Sequence, residues 1–167
     1  MSLEITLGVY MLKRFLSALT LVVSPVLSTA AQPAVWSVGT GKINGHQVII
    51  RHLSELPTWV NQAKFPNLIA VSWPFKSPSG MPSPTDKAAM NDFEETLSAE
   101  VEKEHIGIFT MVVTGNGVCE WQFYARSHEE FMSTLNKALA DKPRFPIELS
   151  LQQDPQWSAY SKFSKTK

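Results

Sequence analysis

"HIGIFTMVVTGNGVCEWQFYA", His105 to Ala125, carries two runs of β-forming residues around Gly115-Asn116-Gly117. Glycine and asparagine tolerate positive φ, so these central residues close a hairpin between two antiparallel strands. Side chains alternate along a strand. In the second strand, Cys119, Trp121 and Phe123 therefore point one way, and Val118, Glu120, Gln122 and Tyr124 the other. The first set is expected to meet helices; the second is mixed, as a solvated or partner-facing sheet face should be. In the first strand, alternation places Phe109, Met111 and Val113 on one face and Ile106, Ile108 and Val112 on the other. A strand apolar on both faces lies centrally or has its outer face covered. A second copy of the chain, the N-terminal hairpin and the C-terminal segment are the candidates to cover it.

Working outward, "PNLIAVSWPF" upstream is a strand with Ile69, Val71 and Trp73 on one face, ended by Pro74. "KSPSGMPSP" is a loop by composition. A long helix starts near Ser83 or Thr85, with Pro84 at a first helical position where its missing N–H costs nothing. Met90, Phe93, Leu97 and Val101 recur at helical spacing, and Glu94, Glu95, Glu102 and Glu104 give it an acidic outer face. Downstream, "SHEEFMSTLNKALAD" is a helix with Ser127 and Glu130 as a capping box and Phe131, Leu135 and Leu139 as its buried stripe. "FPIELSLQQ" is a last strand with Ile147, Leu149 and Leu151 inward. Ahead of all this, "AVWSVGTGKINGHQVIIRHL" forms a hairpin about Asn44-Gly45, followed by a helical turn from Ser54. The order predicts an α+β domain over 32–167: a ferredoxin-like βαββαβ antiparallel sheet with both main helices on one face, an added N-terminal β-hairpin and a short C-terminal helix.

That helix comes from "DPQWSAY". Asp154 suits a helix cap and Pro155 the first helical position, which leaves Trp157 and Tyr160 on one face. The stretch is predicted to be a clasp that closes the domain.

The N-terminus has the layout of a secretory signal. Lys13-Arg14 precedes the uncharged apolar run "FLSALTLVVSPVLS", and small residues allow cleavage after Ala30 or Ala31. Residues 1–31 are thus expected to be removed, and a start at Met11 would leave a more compact signal. The expected location is the periplasm or the exterior, with membrane attachment only if the segment is not cleaved. With 15 basic and 15 acidic side chains the net charge is zero, which argues against nucleic acid as a partner. The single cysteine, Cys119, excludes an intrachain disulfide.

Motifs for catalysis, phosphate or metal are lacking. His46, His52, His105 and His128 are too dispersed for a metal site, and no cofactor is expected. Cys119, beside Trp121 on a strand, reads as a buried inert thiol. Trp73, Trp121 and Phe123 fall on core faces, whereas Trp36 and Trp59 are better candidates for exposure.

Gly80-Met81-Pro82 before the long helix, Phe123-Tyr124 at a strand end and "DPQWSAY" near the terminus together resemble a bacterial family of uncharacterised domains, domain of unknown function 695. The similarity spans about Trp36 to Phe163; Met81 stands where a leucine-like residue is expected. The resemblance implies an α+β domain and supplies no activity or catalytic residue. The functional expectation is a non-catalytic binding module, probing a protein partner or a second copy through the open sheet face or the loop from Lys76 to Pro84. Trp36, Trp59, Gly80, Met81, Pro82 and Tyr124 are its candidate partner-facing residues. The alternative is a periplasmic hydrolase-type enzyme whose site gathers Asp154, His105, Tyr124 and Tyr160.

Overall fold

The computed structural model describes residues 34–164. They form β1 (Trp36–Ile43), β2 (His46–Leu53), β3 (Asn67–Pro74), α1 (Pro84–Lys103), β4 (Gly107–Gly115), β5 (Val118–Ala125), α2 (His128–Ala138), β6 (Glu148–Gln153) and α3 (Ser158–Ser164). The expected signal segment, residues 1–31 with its cleavage after Ala30 or Ala31, lies outside the described residues.

The strands make one antiparallel sheet in the order β1-β2-β4-β5-β3-β6, so the class is α+β. Both hairpins turn on an Asn-Gly pair. Asn44 and Gly45 sit at φ 50° and 81°, Asn116 and Gly117 at 52° and 80°. Two consecutive positive φ angles match the twist of the flanking strands. The N-terminal hairpin does not fold over the sheet; β2 pairs with β4 and widens it.

Helix α1 begins with a complete capping box. Ser83 accepts from the Asp86 amide and the Asp86 carboxylate accepts from the Ser83 amide. Its stripe of Met90, Phe93, Leu97 and Val101 packs with Phe131 and Leu135 of α2 onto Ile69, Val71, Trp73, Trp121 and Phe123. Both main helices thus lie on one face. The opposite face is covered at one end by a second cluster, in which Trp157 and Tyr160 pack on Leu68, Ile108 and Tyr124. The C-terminal segment is what covers the outer face of β4 there.

Four expectations need correction. A β-bulge lies between Phe109 and Met111, so alternation changes phase within β4. Phe109 and Val112 share the helix-side core, while Ile108 faces the C-terminal cluster. Second, no helical turn starts at Ser54. Its hydroxyl meets Ser37 and its amide bonds Val35, while a short 3₁₀ turn forms at Gln62–Lys64, capped by Asn61. Third, Leu149 and Leu151 are 37% and 42% exposed, because β6 is an edge strand. Phe145 and Ile147, just before it, pack on the core instead. Fourth, Pro155 is not a first helical residue. Asp154 to Trp157 make a turn closed by Trp157 N–H to Asp154 C=O at 3.0 Å, and α3 starts only at Ser158.

Candidate functional site

Strands repeat about every 4.8 Å and helices pack about 10 Å apart. Two helices therefore cover about four strands. With α1 packed over the middle of the sheet against α2 on its far flank, and Asp92 of α1 paired at 2.9 Å with Lys142 beyond the C-terminal end of α2, the strip formed by β1 and β2 is left open on the helix side. A groove of ≈ 550 Å³ lies there. Val38, Ile49, Val112, Thr114 and Trp121 floor it, and Lys87, Met90, Asn91, Glu94 and Glu95 of α1 form one wall. Met81 and Pro82 close one end. Val38 and Ile49 are 68% and 37% exposed.

The end wall is held by the hairpin turns. Gly117 N–H donates to the Gly80 carbonyl at 3.0 Å. Gly80 sits at φ +73°, and a Cβ there would come within 3.3 Å of the Asn116 nitrogen and the His46 ring. Positive φ and close approach both favour glycine, which fixes where Met81 and Pro82 emerge.

The polar centre of the groove is Arg51, Glu94 and Trp121. Glu94 pairs with Arg51 through one oxygen and accepts the Trp121 indole N–H at 2.9 Å through the other. The Arg51 guanidinium also lies 5.2 Å from the ring centroid of Trp36 and 5.9 Å from that of Phe109, within cation–π range. Each charged group is thus occupied by a neighbour. Cys119 is only 3% exposed and touches the Thr114 hydroxyl at 3.4 Å. Burial, above all, pushes its thiol up to about 11, so it stays protonated at neutral pH. Neither Arg51 nor Glu94 stands out in the sequence. Glu94, expected on the acidic outer face, turns inward to Arg51 and Trp121; the one cation in the apolar run "VIIR" is the only local signal for Arg51.

The remaining candidates fall in different places. Gly80, Met81 and Pro82 border the groove, and half-buried Trp36 packs against Phe109 at 4.9 Å. Trp59, 41% exposed, packs on His105 with ring centroids 4.2 Å apart and the planes tilted by 46°. Tyr124 is not partner-facing: it is fully buried, stacked on Trp157 at 3.9 Å and 8°. Its hydroxyl donates to Asp154 at 2.6 Å. The Asp154 carboxylate also accepts from the Ser158 and Ala159 amides at 2.9 and 3.0 Å. Its oxygens are therefore committed to holding the start of α3. Tyr160 donates to the Leu53 carbonyl at 3.0 Å. His105 is not brought to this group; it ends α1 at φ +49°. The Ile106 and His105 amides there bond the Val101 and Glu102 carbonyls, a Schellman closure. Asp154, Trp157 and Tyr160 thus sit together in a packed corner, apart from the groove, while Pro155 is exposed.

Among the described residues, no three His, Cys, Asp or Glu side chains stand where one metal ion could be held. No curated protein matches the chain. Residues 34–164, from the first strand through the clasp, match the profile of a family described as of unknown function, DUF695, and the chain belongs to that family.

Proposed function

We propose that the domain is a non-catalytic binding module that receives a partner in the groove beside α1. One observation carries this reading: the groove is open and apolar at Val38 and Ile49, while the two charged side chains at its centre, Arg51 and Glu94, are paired with each other. A catalytic group needs a free base or nucleophile at the reacting atom. Arg51 and Glu94 spend their charges on each other, and the Cys119 thiol is held protonated. Export to the periplasm or the exterior belongs to the same proposal and rests on the signal-like residues 11–31. N-terminal sequencing of the protein from a periplasmic extract tests that part; an intact Met1 or Met11 counts against it.

The binding reading is tested by screening peptides against the isotopically labelled protein. Binding is expected to shift the amides of Val38, Ile49, Val112 and Thr114 together. Hydrolytic turnover lost on Asp154→Asn would overturn it in favour of an enzyme. Cys119 offers a second check. A disulfide reagent at neutral pH is expected to label it only as fast as the protein unfolds, because the thiolate is scarce and the sulfur covered. Rapid labelling of the native protein would point to an activated thiol instead.

A further inference from the structure

Lys87, Asn91 and Glu95 stand four residues apart on α1, so they make one row along the wall of the groove. All three are exposed, and among the described residues neither Lys87 nor Glu95 has an ion-pair partner. The row is cationic toward the N-terminal end of α1, neutral at its middle and anionic beyond. Such a row is complementary to itself when reversed. An antiparallel copy turned about a two-fold axis at Asn91 sets Lys87 against the partner's Glu95, and Glu95 against the partner's Lys87. The two Asn91 amides then face each other, where each can both donate and accept.

We propose that the occupant of the groove is α1 of a second copy of this chain, in an isologous two-fold dimer. The inference rests on reading the groove as a docking surface and names what docks there. The strip left open beside α1 is two strands wide, about 10 Å, which is the spacing at which helices pack. Val38 and Ile49, exposed in the single chain, come under the partner's helix. Any other partner would have to bring a charge pattern that this chain already carries on the same wall.

Sedimentation of the protein in its native processed form, across a dilution series, tests the proposal. The wild type is expected to dimerise, less so as salt is raised, since exposed pairs are screened. Lys87→Glu sets like charges against each other at both ends of the row, and so does Glu95→Lys. Each variant is expected to be monomeric where the wild type is dimeric, with its circular dichroism unchanged because both positions are exposed. The double variant K87E/E95K reverses the row and is expected to restore the dimer. An equimolar mixture of the two single variants is expected to form a heterodimer, since one row is all anionic at its ends and the other all cationic. A dimer indifferent to both reversals would overturn the inference by placing the contact elsewhere. A wild-type monomer at every concentration would overturn it too. If that monomer still shows groove-confined shifts with an added peptide, self-association has failed and the docking surface has not.

Discussion

Trp157 holds a left-handed backbone, φ +53°, immediately before α3. A non-glycine residue there costs about 1–2 kcal/mol, so the surroundings must outweigh it. The indole N–H donates to the Gln62 and Phe65 carbonyls at 3.2 and 3.0 Å, and the ring lies flat on Tyr124 with 1% exposure. Trp157→Ala is expected to destabilise by about 3 kcal/mol or more, as large core truncations do. Trp157→Phe keeps a stacking ring but leaves two carbonyls without their donor, and should fall between. Urea midpoints in the order wild type, Phe, Ala check this; an unchanged Ala variant would mean that the clasp is not structural. The neighbouring Asp154 governs acid sensitivity. Burial pulls its carboxyl upward, but the bonds from Tyr124, Ala159 and Ser158 together outweigh burial and hold it below the ordinary 3.8. The folded protein therefore binds this proton less tightly than the unfolded chain does. The stabilisation is complete above pH 3.8 and is lost as pH falls through the folded-state value. Asp154→Asn should be less stable at neutral pH and should flatten the acid limb of a melting-temperature profile. An unaltered acid limb would assign the sensitivity to another carboxylate.

At the scale of elements, the bulge in β4 and the last turn of α1 depend on each other. The bulge interrupts the ladder beside Phe109, and the Glu102 carboxylate accepts the Phe109 amide at 3.2 Å. Burial raises the Glu102 carboxyl above 4.5, against the opposing pull of that amide and of His105. The folded state thus binds this proton more tightly than the unfolded chain, so ionising Glu102 costs stability as pH rises through its folded-state value. Glu102→Gln keeps an acceptor without the charge. It should match or exceed the wild type at neutral pH, with the difference vanishing in acid. Glu102→Ala leaves the amide unpaired and should lose about 1–3 kcal/mol. Thermal melts at neutral and acid pH separate the two; equal loss in both variants would sink the idea. The same bulge shows where sequence reading runs out. The elements, their order and the core stripe of α1 are legible because alternation and helical spacing are local properties. Counting by twos down β4 fails past Thr110, since one extra residue moves every later side chain to the other face. Leu149 and Leu151 look inward by the same count, yet burial depends on whether a helix reaches that edge.

For the whole molecule, the groove was the least legible feature, because no single stretch encodes it. It arises from a mismatch of widths: a sheet extended by β1 and β2 exceeds what α1 and α2 can cover. Arg51 and Glu94, separated by 43 positions, meet only through that arrangement. The burial of Trp157 and Tyr160, by contrast, is legible from their aromatic character and spacing, though the turn before α3 is not. The two cores share their supporting strands. Ile69 and Phe123 face the helices while adjacent Leu68 and Tyr124 face the clasp, and in β4 Phe109 and Ile108 divide in the same way. Neither cluster can lose its packing without loosening the backbone that carries the other. Unfolding should therefore be a single cooperative transition. Far-ultraviolet circular dichroism follows the sheet and helices. In a variant with the other tryptophans replaced by phenylalanine, Trp157 fluorescence follows the clasp, and the two urea curves should coincide. A truncation after Gln153 should lower the stability of the helix-side core as well, although the removed residues lie on the opposite face. If Trp157 fluorescence changes at lower urea than the circular dichroism, the clasp opens independently. It would then be a mobile cover over the outer face of β4, and the shared strands would not bind the two cores into one unit.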